Sequence, residues 1–110
     1  MKRAWLYCRI DAPEDQNGAL KKQEKQLFEF CEQLGYQPVG TSSDLGGNRD
    51  LEKQIQAAVV KHFDVLLVSS LFYIHHDRSR AIQYVRQLQS LGVEVISPLE
   101  GRISAEEVPL

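Results

Sequence analysis

Ala4-Trp-Leu-Tyr-Cys-Arg-Ile-Asp-Ala-Pro-Glu-Asp15 is the stretch that decides the fold. Ala4, Leu6, Cys8 and Ile10 alternate with Trp5, Tyr7 and Arg9, and both sets are mostly apolar. A strand apolar on both faces is one covered on both faces, as the strands of a parallel sheet are. The second half of the stretch, continuing to Gly18, has the composition of a loop. Arg9 and Asp11 therefore stand where a buried strand ends, and in open α/β sheets ligands bind outside those ends.

Outward from this strand the pattern turns helical. Over Ala19 to Leu34, Leu20, Leu27, Cys31 and Leu34 fall on one stripe, widened by Phe28 and Phe30, with Lys and Glu on the remaining face. Gly35 is placed to end this helix in the left-handed conformation. A second strand is expected over Gln37 to Thr41, and a turn-rich loop over Ser42 to Asp50, with Asp50 as the cap of the next helix. That helix is expected over Leu51 to Lys61, with Leu51, Ile55, Ala58 and Val59 on its apolar face. Phe63 to Val68 is the most apolar run and reads as the central strand. Asp77 or Ser79 caps a further helix whose stripe is Ile82, Val85, Leu88 and Leu91, ended by Gly92. A fourth strand runs from Val93 to Ser97, and a short fifth lies near Arg102 to Ser104.

Strands alternating with helices argue for a three-layer α/β/α domain with a mostly parallel sheet of four to five strands, flavodoxin-like in arrangement. The topology alone gathers four loops along one edge, carrying Arg9 and Asp11, then Ser42 to Arg49, then Ser69 to Asp77, then Ser97.

The length of 110 residues fits one domain with its own core. Lys and Arg number 13 against 15 Asp and Glu, a net charge of -2 that opposes strong nonspecific attraction to nucleic acid. No apolar run approaches the ~18 residues of a membrane span. No signal peptide is visible, so the expected location is cytoplasmic. Cys8 and Cys31 occupy apolar positions and read as buried thiols.

The residues Tyr7-Cys-Arg-Ile-Asp11, Leu20 with Gln23, Asp44-Leu-Gly-Gly47, Phe63-Asp-Val-Leu-Leu-Val68, Leu71 to Asp77 and Gly92-Val93 resemble, in order and spacing, the catalytic domain of serine recombinases of the resolvase/invertase family. That family carries Tyr-x-Arg-Val-Ser, a Leu-x-x-Gln helix, an Asp-x-x-Ser-Gly loop and a Leu-Asp-Arg-Leu-x-Arg motif. The resemblance implies a domain for site-specific DNA recombination, in which a serine attacks a phosphodiester and arginines stabilise the phosphoryl charge. It also implies a long dimer helix and a helix-turn-helix beyond this domain, and the 110 residues contain neither.

The departures fall on the chemistry. Asp11 stands at the nucleophile position, Gly47 at the serine of the second loop, Phe72-Tyr73 at the Asp-Arg pair and His76 at the final arginine. Arg9, Gln23 and Asp44 alone match the family's site. Phosphoryl transfer relies on positive charge around the equatorial oxygens. Tyr73 cannot supply it, and Asp11 adds negative charge where phosphate must approach. The expectation is a domain that kept its core and lost its reaction, pairing with itself or a related recombinase and binding DNA weakly, with no cofactor and no metal. Arg9, Arg78 and Arg80 are the candidate contacts to DNA phosphate.

Other readings of these residues are specific enough to check. Arg9 can form a salt bridge to Asp11 or Asp44, and those two carboxylates could instead hold a divalent cation. His75-His76-Asp77 is a poor chelate because neighbouring side chains diverge, and His62 is remote in sequence. Ser69 or Ser70 could be a nucleophile only with a base in reach, such as His75 or His76. Gly46-Gly47-Asn48 lacks the lysine and spacing of a phosphate-binding loop. Two further functions remain: an active recombinase using Asp11, Ser69 or Ser70, and a small-ligand or protein-interaction module on the same scaffold.

Overall fold

A computed structural model describes residues 2–10, 18–45, 56, 63–75 and 77–103. Strand β1 is Arg3–Ile10, helix α1 Ala19–Leu34 and strand β2 Gln37–Leu45. Strand β3 is Val65–Val68, followed by a short 3-10 turn over Leu71–Tyr73. Helix α2 is Arg78–Ser90, and strands β4 and β5 are Glu94–Ser97 and Gly101–Ile103. The helix expected over Leu51 to Lys61 and its cap Asp50 lie outside the described residues, save Gln56, which is helical.

The sheet order is β2-β1-β3-β4-β5, so β3 is the middle strand. Pairing is parallel throughout except β5, which runs antiparallel to β4. The two-sided reading of β1 holds. Ala4, Leu6 and Cys8 pack with Leu27 and Cys31 of α1 and with Val65, Leu67 and Ile96. Tyr7 packs on the opposite face with Leu66, Val68 and Val95 and with Ala81, Ile82, Val85 and Leu88 of α2. The alternation along one strand thus separates two cores, and burial of these side chains contributes on the order of 1.5–3 kcal/mol each.

The caps follow the sequence. Gly35 ends α1 at φ 73°, its N–H donating to the carbonyls of Cys31 and Glu32. Asp77 caps α2, its side chain accepting from the Ser79 N–H at 2.9 Å.

Two expectations are corrected. Ser42 to Leu45 is strand, because β2 stays paired with β1 as far as Ile10↔Leu45. Turn-forming residues are only locally disfavoured in strands, and a long parallel ladder overrides that preference. Phe28 and Leu34 are more than a third exposed, at 38% and 36%. The buried stripe of α1 is instead Gln23, Leu27 and Cys31, with a polar residue inside it.

β2 is an edge strand, and Pro38 is tolerated there because an edge strand has a side that needs no donor. The ladder skips one residue between Ala4↔Pro38 and Trp5↔Gly40. Gly40 is required at that point. A Cβ there would lie 2.5 Å from the Trp5 ring. Trp5 also donates from its indole N–H to Ser42 Oγ at 3.1 Å and stacks obliquely on Phe63, 5.7 Å between centroids.

Candidate functional site at the strand edge

The carboxyl ends of β1, β2 and β3 meet at one edge. β3 stops at Val68, which pairs with Tyr7. Arg9 is the next residue of β1 whose backbone faces that side, and it has no strand partner there. Gln23 of α1 takes the place of the missing strand. The Arg9 N–H donates to Gln23 Oε1 at 2.8 Å, and Gln23 Nε2 donates back to the Arg9 carbonyl at 3.1 Å. Gln23 is 7% exposed, so a buried amide completes the ladder that β3 leaves unfinished. The amino end of β1, at the opposite edge of the sheet, is closed in a similar way. The Arg3 N–H donates to Asp64 Oδ2 at 3.0 Å, and this bond, reinforced by the Arg3 charge, holds the Asp64 carboxyl below its ordinary value of 3.8.

Alternation puts the Arg9 side chain on the α2 face, where it is 6% exposed. Its Nη1 lies 3.5 Å from the Ile74 carbonyl, a long contact. Among the described residues no carboxylate lies within ion-pair distance of Arg9. Asp44 is its register neighbour on β2. Asp11, Gly47 and His76 lie outside the described residues, as does the side chain of Asp44, so the expected Arg9 salt bridge and the Asp11–Asp44 cation reading cannot be placed. Among the described residues no cluster of three His, Cys, Asp or Glu could hold a metal ion.

The third loop is built by capping. Ser70 is buried, and its Oγ accepts from the Phe72 N–H at 3.1 Å, starting the 3-10 turn. Tyr73 ends that turn beside Ile74, whose carbonyl faces Arg9. His75 accepts from the Asp77 N–H through Nδ1 at 2.9 Å. Ser70 and His75 are therefore each bonded to backbone, and no bond joins them as nucleophile and base. Glu100, between β4 and β5, ties this loop down. Both its oxygens lie 3.0 Å from the Leu71 N–H, and Ser97 Oγ donates to it at 2.8 Å. Leu71, Phe72, His75, Arg78 and Glu100 line a cleft of about 260 Å³ at this edge.

Of the family-aligned positions, the structure joins Arg9 to Gln23 and sets the Asp44 backbone beside Arg9, while Tyr73 precedes Ile74, whose carbonyl Arg9 reaches. Arg78 and Arg80 stand on the first turn of α2, both exposed. The thiols offer no nucleophile. Cys8 and Cys31 are free and buried, and burial pushes Cys8 up to about 12 and raises Cys31 as well.

Comparison with known proteins agrees with this architecture. The family model for the resolvase N-terminal domain matches residues 4–107. The N-terminal catalytic domain of TP901-1 integrase is 20% identical with a TM-score of 0.78, covering 91% of this chain and 79% of that one. A resolvase-family site-specific recombinase from Streptococcus pneumoniae is 18% identical with a TM-score of 0.83, covering 98% and 78%. The C-terminal catalytic domain of ISC1926 TnpA, an IS607-like serine recombinase, is 18% identical with a TM-score of 0.78, covering 86% and 69%. A search of curated proteins finds no significant match.

Proposed function

The chain belongs to the resolvase N-terminal-domain family, and from that premise we propose that it is a recombinase-type domain that does not cut DNA and acts instead through contacts with a second recombinase-type subunit, its own copy or a relative. Membership in the family suggests site-specific recombination, and the sequence at the strand edge argues that the chemical step is lost. The observation that carries the reading is one of sequence: Asp11 stands at the family's nucleophile position and Phe72-Tyr73, in the 3-10 turn, at its Asp-Arg pair. Tyr73 precedes Ile74, whose carbonyl faces Arg9. By the family resemblance, the aligned arginine of an active member would add positive charge at this edge, and here a neutral phenol stands in its place.

Phosphoryl transfer without a covalent cofactor depends on positioned positive charge. One guanidinium can hold a phosphate, and it does not replace a cluster. A carboxylate at position 11 would repel the scissile phosphate in the ground state. Arg9 and Gln23 serve in this reading to finish the sheet and hold its edge.

The test is covalent trapping. The chain is incubated with supercoiled DNA, quenched with denaturant and assayed for a protein–DNA adduct, alongside an active serine recombinase on its own site. No adduct is expected from this chain. An adduct mapped to Asp11, Ser69 or Ser70 refutes the reading and establishes an active recombinase with a different nucleophile. Self-association is measured separately by sedimentation.

A further inference from the structure

We propose that the outer face of α1 is a self-docking surface, on which a second copy of this chain lays its own α1 antiparallel about a two-fold axis beside Phe28. The inference rests on the reading that the domain acts through contact with a second subunit, and it names the surface and the occupant. The dimer contacts that the family resemblance implies belong to a long helix outside these 110 residues, so α1 is a separate surface.

The first observation is an uncovered apolar patch. Phe28 and Leu34 of α1 and Val39 of β2 are each more than a third exposed. Lys25, Phe28, Glu29, Glu32 and Pro38 line a groove of about 370 Å³ between α1 and the edge strand β2. Single exposed apolar side chains are ordinary, whereas apolar residues sharing a groove rimmed by charge mark a contact surface. Along the helix, Phe28 stands between Lys25 on one side and Glu29 and Glu32 on the other.

The second observation is the order of charge. Lys21, Lys22 and Lys25 lie in the N-terminal half of α1, with the half-buried Glu24 the one acid among them, and Glu29 and Glu32 lie in the C-terminal half. The first turn has no acidic residue and the last turn no basic one. This order opposes the helix dipole and does not stabilise α1 by itself. Among the described residues none of Lys25, Glu29 and Glu32 has an ion-pair partner within the chain. A second α1 laid antiparallel opposes the two dipoles and brings lysines to glutamates.

The third observation is spacing. Lys25, Phe28 and Glu32 are exposed and stand three and four residues apart, which puts them on one face of the helix. A two-fold axis crossing α1 between Phe28 and Glu29 sets Lys25 opposite Glu32 of the second copy, and Glu32 opposite Lys25 of the second copy. The two ion pairs then flank the axis at about 5 Å to either side, at 1.5 Å per residue. The two Phe28 rings meet at the centre, the arrangement of an aromatic anchor inside a polar rim. The same charges exclude a parallel pairing, because a two-fold axis along the helices would set Lys25 on Lys25 and Glu32 on Glu32.

The experiment is analytical ultracentrifugation of the full chain from about 1 to about 300 μM, a range that spans the weak dissociation constants of small interfaces. A monomer–dimer equilibrium is expected, weakened by added salt because the facing charges lie at the rim. K25E and E32K should each raise the dimer dissociation constant by about tenfold or more with an unchanged thermal melt, because each turns two symmetry-related attractions into two repulsions. An equimolar mixture of K25E and E32K should dimerise as wild type, since the two reversed charges then face each other and so do the two native ones. Effects confined to one helix are the same in the mixture as in each variant alone, so they cannot produce this rescue. Should either variant fail to fold, K25Q and E32Q take their place, and both must weaken association. A chain that stays monomeric through the range overturns the proposal, as does a mixture that associates as poorly as its components. Self-association unmoved by the reversals refutes the α1 surface and leaves the subunit-contact reading standing, whereas a covalent DNA adduct refutes that reading and not the surface.

Discussion

The side-chain amide of Gln23 closes two hydrogen bonds on the backbone of Arg9, at 2.8 and 3.1 Å, where the neighbouring strand has already ended. A helix residue thus performs the work of a strand residue. The consequence is that the position of Arg9 at the edge is fixed by α1 and not by the sheet alone.

Gln23→Ala leaves one buried N–H and one buried carbonyl without partners. Each costs about 1–3 kcal/mol, so a loss of roughly 2–6 kcal/mol is expected in denaturant melts. Gln23→Glu keeps the acceptor and loses the donor, and should fall between. A Gln23→Ala protein within about 0.5 kcal/mol of wild type would mean the two bonds are not made.

Gly40→Ala puts a methyl group into the Trp5 ring, 2.5 Å from its nearest atom. The ring must shift, and its bond to Ser42 is lost with it. Overpacking of this kind costs about 1–3 kcal/mol. Trp5 is the one tryptophan, so intrinsic fluorescence reads the displacement directly. An unchanged emission maximum and an unchanged melt would contradict the packing of β2 on β1.

Asp64 gives a pH dependence of defined sign. Its carboxyl is held below 3.8 by the Arg3 N–H and the Arg3 charge. A group lowered in the folded state stabilises above its unfolded value, and that stability is lost as pH falls through the folded value. The stability gap between wild type and Asp64→Asn should therefore be present at neutral pH and close on acidification below about 4. The carboxylate is partly solvated, so the gap is small. A gap that widened on acidification would reverse the sign and contradict the assignment.

Much of this fold is legible in the sequence because its signals are local. The alternation of Leu6 and Cys8 with Trp5 and Tyr7 announces two-sided burial, and helix ends are marked by the left-handed backbone of Gly35 and Gly92 and by the capping side chain of Asp77. What is not legible depends on partners distant in sequence. Ser42 to Leu45 becomes strand only because β1 lies beside it. Gln23 is buried because β3 stops early, and its sole local sign is a polar residue within an apolar helical stripe. Phe28 and Leu34 look like core residues by type and are exposed by position. Glu100 caps a loop 29 residues earlier in the chain, which no local pattern encodes. At the site, Arg9 was legible from its place at a strand end, and Gln23 and Tyr73 from the family resemblance. Their mutual geometry was legible from neither.

The central claim is that the edge no longer supports phosphoryl transfer. It is tested most directly by replacing the catalytic domain of an active serine recombinase with this chain, so that the host's DNA-binding portion delivers it to a defined site, and measuring covalent protein–DNA adduct. The account predicts no adduct from the chain as it stands or from Asp11→Ser alone, since Tyr73 and His76 still supply no arginine charge. Adduct formed by either one would show that the edge is catalytically competent and would contradict the account.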